Sequence, residues 1–128
     1  MLLLIAGDLT PKEVNIETFN NADVSALLGE ELLSYWYKAD MRVFNLETPL
    51  CDKSTPILKY GRNFSTPTST IKGIKALRPT LVTLANNHIF DHGSEGLKST
   101  IALLEKEEIP YVGVGKNIYE ASKPYIIH

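Results

Sequence analysis

Residues 80–93, TLVTLANNHIFDHG, hold the pattern from which the fold is read. Thr80–Ala85 is a short, nearly continuous apolar run that ends at two amides and an imidazole, Asn86-Asn87-His88. From Ser94 to about Glu107, apolar residues return at helical spacing as Leu97, Ile101 and Leu104. A strand-length run, a polar turn and an amphipathic helix make one βα unit.

The same unit recurs to either side. Leu2–Gly7 and Met41–Leu46 precede it, and Tyr111–Val114 and Pro124–Ile127 follow. These runs are continuous rather than alternating, as expected of strands covered on both faces. Between the first two, Val24, Leu27, Leu28, Leu32, Tyr35 and Trp36 follow helical spacing, with Asn21 or Asp23 placed to cap the start. Thr66-Pro67 opens a second helix with Thr as cap and a stripe of Ile71, Ile74 and Leu77, and a short turn of helix covers Asn117–Ser122. Thr48–Asn63 has two prolines and no periodicity and reads as a surface loop. The apolar and aromatic residues between Val14 and Phe44, Trp36 included, read as core. The order predicts an α/β fold, a mostly parallel sheet flanked by helices on both faces through right-handed crossovers.

Composition narrows the function classes. The chain has 128 residues, 44% of them apolar and 22% charged, which suits a single globular domain. Thirteen Lys and Arg against fifteen Asp and Glu give a net charge of −2, which excludes a broad footprint for nucleic acid or anionic lipid. The single cysteine, Cys51, excludes an intrachain disulfide and a Cys-based zinc site, and it has no basic or histidine neighbour in sequence to activate it. Met1–Ala6 is too short to span a bilayer and lacks the features of a signal peptide, so no membrane segment or export signal is expected within the chain, which reads as cytoplasmic as given.

Ligands of open α/β sheets bind beyond the carboxyl ends of the strands. Those ends carry Gly7-Asp8, then Asn45-Leu46-Glu47, then Asn86-Asn87-His88 with Asp91 and Gly93, then Gly113-Val114-Gly115-Lys116-Asn117. Taken singly, Gly7-Asp8 reads as a turn or cap and Glu47 as a solvated loop acid, whereas two amides and an imidazole after a buried strand read as functional. Together, the carboxylates of Asp8 and Glu47, the amide oxygen of Asn87 and the imidazole of His88 form a mixed oxygen and nitrogen set suited to a divalent metal, Mn, Fe or Zn, with a bridging carboxylate able to hold two ions and Asp8, Glu47 and Asn87 as the ligands. His88 is then the residue to give a proton to a leaving oxygen. Asn45, Asn86, Asp91 and Gly93 are supporting or turn residues. Asp91 reads as the cap of the third helix, with a bond to His88 that would fix its tautomer as the alternative. Gly113, Gly115 and Asn117 form a loop beside the site, since the spacing and the Ser or Thr of a phosphate loop are missing.

These same residues carry a family resemblance. Gly7-Asp8, FNLETPL at 44–50 and LANNHIFDHGSEGL at 84–97 resemble the bacterial capsule-synthesis protein family, CapA or PGA_cap, associated with poly-γ-glutamate capsule production. The likeness continues through Phe64, IPYVGVGKN at 109–117 and EASKPYII at 120–127. It implies a relation to calcineurin-like metallophosphoesterases, with Asp8 as the first-strand ligand, Glu47 as the metal-bridging carboxylate, Asn87 as a ligand and His88 as the imidazole that meets phosphate. Two departures stand out. The position two after Asp8 is Thr10 where such enzymes have histidine, and the chain has only three histidines, His88, His92 and His128.

The resemblance therefore implies a longer domain, and residues 1–128 are read as its N-terminal half, resembling half of a metallophosphoesterase-like α/β sandwich. An incomplete sheet should leave apolar surface uncovered, which predicts a homo-oligomer. The expected function is metal-dependent phosphoesterase-like chemistry in capsule or cell-envelope polymer biosynthesis, on an anionic polymer or phosphoester. A non-catalytic module of polymer export or assembly is the alternative, with Lys53, Lys59, Arg62 and Lys116 as cations for the polymer. A nucleotide-binding α/β domain ranks last for want of a phosphate-binding fingerprint.

Overall fold

The computed structural model describes residues 1–127, and His128 lies outside the described residues. Four strands, β1 (Leu3–Leu9), β2 (Met41–Leu46), β3 (Leu81–Thr83) and β4 (Tyr111–Val112), form one all-parallel sheet in the order β1-β2-β3-β4. The helices are α1 (Ile16–Asn20), α2 (Val24–Trp36), α3 (Ile71–Ala76), preceded by a 3-10 turn at Thr68–Thr70, α4 (Gly93–Lys106) and α5 (Ile118–Ala121).

The α/β class and the parallel sheet match the expectation; the two-faced covering does not. When each strand is added on the same side of the last, right-handed crossovers all pass over one face. The burial pattern agrees. Leu4, Phe44, Leu46, Val82 and Leu84 share one face by register and alternation, and all join a core with Phe19, Trp36, Ile71, Ile74, Leu77 and Leu104 from the helices and their ends. The opposite face, with Leu3, Ile5, Met41, Val43 and Leu81, contributes nothing to that core. Ile5 there is 72% exposed.

Other expectations are corrected by local physics. Pro124–Ile127 forms no strand, and its apolar side chains are exposed. Thr66 does not cap α3: it makes an isolated bridge to Leu50, and its hydroxyl donates to Pro11 O at 2.9 Å, so the 3-10 turn starts at Thr68. Asp23, rather than Asn21, caps α2, accepting from Ala26 N at 3.0 Å. Gly29, at φ +73°, kinks that helix. Val14 is not core, being 94% exposed, whereas Trp36 is buried with its indole N–H on Leu77 O at 2.8 Å. The Thr48–Asn63 stretch is not wholly a surface loop either, since Thr48, Pro49, Leu50 and Cys51 are buried.

Candidate functional site

The rim of the sheet is set first by β1 and β2. Register runs Ile5 opposite Val43 but Asp8 opposite Asn45, so β1 holds one extra residue at Ala6-Gly7. Counting by simple alternation from Ile5 would turn Asp8 toward the core. The irregularity re-aims it onto the uncovered face beside Asn45, as strand bulges do. Glu47 N–H donates to Leu9 O at 3.1 Å, which carries the pairing one residue past β2. Asp8, Thr10, Asn45 and Glu47 thus share one face at the carboxyl end.

Asn45 is the hub of this rim. Its amide donates to Asp8 Oδ1 at 2.7 Å, and its Oδ1 accepts from Thr83 Oγ1 at 3.2 Å and Asn86 Nδ2 at 3.1 Å. Asn86 also donates to Leu46 O, while its Oδ1 takes the backbone N–H groups of His88 and Ile89 at 3.0 and 2.8 Å. That one amide therefore ties β2 to the turn that presents His88. Thr10, at the position where a histidine would be expected, donates to Glu47 Oε2 at 2.7 Å.

A second cluster surrounds His88. Its Nδ1 lies 2.7 Å from Asp91 Oδ2, and its ring stacks on Phe64 with centroids 4.0 Å apart at 16°. Asp91 does not cap α4, whose cap position is His92. It is fully buried and accepts from Lys59 Nζ, His88 Nδ1 and Phe64 N–H. Burial pushes its carboxyl up, but the hydrogen bonds from Lys59, His88 and Phe64 and the Lys59 charge outweigh that and hold it below the ordinary carboxylate range. An ionised carboxylate only accepts, so Nδ1 of His88 is the donor of this pair, and Nε2 makes no hydrogen bond among the described residues. Lys59 also donates to Asn87 O at 3.3 Å, and Thr55 clasps His92 through its N–H on Nδ1 and its hydroxyl on the backbone carbonyl, both at 2.9 Å. The loop is thus stitched to the turn it covers.

The sequence-predicted residues divide accordingly. Asp8, Asn45, Asn86, His88 and Asp91 form one continuous hydrogen-bonded chain, and Glu47 joins the same face through Thr10. Asn87 is exposed, and its side chain makes no hydrogen bond among the described residues. Gly93, at φ +61°, starts α4. Gly113, at φ +94°, packs against Ala85, Gly115 lies against Glu120, and Asn117 caps α5 through Glu120 N at 3.0 Å. Lys59 was expected only as a cation for a polymer, and its partners lie 28–32 residues away in a stretch without periodicity, so no sequence signal pointed to them.

Asp8 and Glu47 each have one carboxylate oxygen tied to a neighbour and one without a hydrogen-bond partner among the described residues, and Asn87 carries an amide oxygen. As donor types these are hard oxygens, which suit a divalent ion completed by water rather than a closed zinc site. Among the described residues no group of three or more His, Cys, Asp or Glu is gathered to hold an ion. None of the described helices is long and apolar enough to cross a membrane.

An α/β domain with an acidic, amide-rich strand rim and a buried aspartate behind a histidine is the class this geometry defines. The family model described as bacterial capsule synthesis protein PGA_cap matches residues 2–128, and the chain belongs to that family. It is 38% identical over 86 residues to the capsule biosynthesis protein CapA of Bacillus anthracis, covering 65% of this chain and 21% of that protein. It is 31% identical over 88 residues to a polyglutamine synthesis accessory protein of Mycobacterium tuberculosis, covering 69% of this chain and 23% of the relative. A third relative, the PGA biosynthesis protein CapA of Bacillus subtilis, is 31% identical over 61 residues, 48% of this chain and 16% of its own length. The chain spans about a fifth of the length of the curated relatives it matches.

Proposed function

We propose that this chain provides a hydrolytic site in the biosynthesis of a capsule or cell-envelope polymer, acting on a phosphoester or a linkage of an anionic chain. The observation that carries the reading is the His88–Asp91 pair: a buried, ionised carboxylate 2.7 Å from Nδ1 orients the ring, so Nε2 is the nitrogen directed to exchange a proton with a leaving oxygen. Asp8, Glu47 and Asn87 are the residues that would hold a divalent cation, which when bound would polarise the substrate oxygen. Thr10 and Asn45 fix the carboxylates of Glu47 and Asp8, and Lys59 balances the charge of Asp91.

The test is metal binding and hydrolysis with Mn, Fe or Zn on phosphomonoesters and diesters. Asp8→Asn should weaken metal binding at least tenfold, while His88→Ala should lower turnover and leave metal affinity within twofold. No metal bound at micromolar concentration would overturn the reading for this chain.

The second reading, a non-catalytic module of polymer assembly, is favoured by the thin ligand set. It predicts polymer binding unchanged by Glu47→Ala and His88→Ala. Self-association through the uncovered sheet face accompanies either reading, and a monomer by sedimentation at micromolar concentration would remove it.

A further inference from the structure

Beside the rim lies a cleft of about 560 Å³, whose walls include Thr10, Lys12, Glu13, Arg62, Asn63 and Phe64. Its size is that of a small-molecule pocket. Two of its walls belong to the candidate site: Phe64 is the ring stacked on His88, and Thr10 is the donor to Glu47. Lys12 Nζ stands 5.1 Å from the Phe64 centroid, so ammonium, ring and imidazole form one stack. The backbone beneath Lys12 is pinned by reciprocal bonds with Asn15, Lys12 N–H to Oδ1 at 2.7 Å and Asn15 N–H to Lys12 O at 2.8 Å. Neither Lys12 nor Arg62 forms a salt bridge among the described residues; Glu13 is the one acidic residue in the lining. Asn63 gives its amide hydrogen to Ile57 O at 2.8 Å, which fixes the loop beside Arg62.

We propose that this cleft is a binding subsite for an anionic group, a carboxylate or a phosphate, held by Lys12 and Arg62 beside the edge of Phe64. The inference that the reacting bond of such a chain lies toward His88 rests on the function proposed above; the subsite itself does not. Lys59, paired with Asp91, is not available for this task, which separates it from Arg62 among the cations named from sequence.

The experiment is an amide-resolved NMR titration of the full chain, without added metal, using a glutamate pentapeptide in one arm and inorganic triphosphate in the other. Shifts should concentrate at residues 10–16 and 62–65. The double substitution Lys12→Gln with Arg62→Gln should weaken binding at least tenfold, while Lys98→Gln on α4 should leave it within twofold. Tighter binding of the peptide identifies a carboxylate ligand, and tighter binding of triphosphate a phosphate ligand. Binding of neither probe, or equal binding by the double variant, overturns the subsite. Failure to hydrolyse any ester, with the titration and its charge dependence intact, sinks the role of His88 and leaves the subsite standing.

Discussion

Replacing Asp91 by Asn should be among the most destabilising single changes at the rim. The carboxylate is 1% exposed and receives three donors, Lys59 Nζ, His88 Nδ1 and Phe64 N–H. Asparagine keeps the shape but loses the charge, and its amide must turn hydrogens toward groups that also donate. Breaking a buried ion pair by removing one partner costs about 3–5 kcal/mol. Lys59 is 19% exposed and His88 14%, so both regain part of their hydration and the lower end applies, about 3 kcal/mol. At roughly 3–5 °C per kcal/mol for a domain of this size, the melting temperature should drop by about 10 °C. Urea unfolding followed through Trp36, the only tryptophan and buried, gives the free energy directly.

The pH dependence supplies a sign to check. The pKa of Asp91 is lower in the folded protein than in the unfolded chain, so its contribution is fully present above the unfolded value, about 3.9, and is lost as pH falls through the folded value. The cost of Asp91→Asn should therefore be largest near pH 7 and shrink below about pH 4. A cost under about 1 kcal/mol at pH 7, or one that does not shrink on acidification, would refute this account of the buried carboxylate.

Two further perturbations test other parts of the fold. Gly113→Ala would place a Cβ 2.7 Å from Ala85 Cβ and 2.8 Å from Ala85 N at φ +94°, whereas Gly61→Ala at φ +97° meets nothing within 4 Å. The first should cost about 2–4 kcal/mol and the second about 1, by denaturant titration, the difference being the clash. Cys51 is 7% exposed, and burial, then the charge of Asp52, push its thiol up, so a thiol reagent at pH 8 should react far faster in urea than with the native protein; equal rates would contradict that burial.

The alternation of strands and helices was legible because each βα unit is encoded locally, in a short apolar run followed by helical spacing. Strand order is not local. Continuous apolar runs such as Leu2–Gly7 look alike whether one face is covered or two, and only the order β1-β2-β3-β4 separates the cases. The five-residue α1 buries Phe19 and is too short to show a period. At the rim, topology alone placed Asp8, Glu47 and His88 at the carboxyl ends of β1, β2 and β3. Asp91 misled because a side chain three residues after His88 and just before a helix suits a cap as well as a partner. The side chains that decided between these roles, Lys59 and Phe64, sit in the aperiodic loop.

The bulge in β1 links sequence to site most directly, and it makes a last prediction. Ala6 and Gly7 together stand opposite Phe44, with Ile5 facing Val43 before them and Asp8 facing Asn45 after. Deleting Gly7 restores one-to-one pairing without moving any partner: Ile5, Asp8 and Thr10 stay on the uncovered face and Leu9 stays on the core face. Nothing lies within 4 Å of where a Gly7 Cβ would be, so no side chain from elsewhere in the fold packs over that side of it. The deletion should therefore cost under about 1 kcal/mol in urea unfolding, in keeping with a change that touches no buried contact. Were the extra residue not what sets this register, the same deletion would instead slip Asp8, Leu9 and Thr10 by one position, turning Leu9 off the core face at roughly 2 kcal/mol and disturbing the rim as well. A loss of that size would show that Asp8 does not owe its place beside Asn45 to the extra residue.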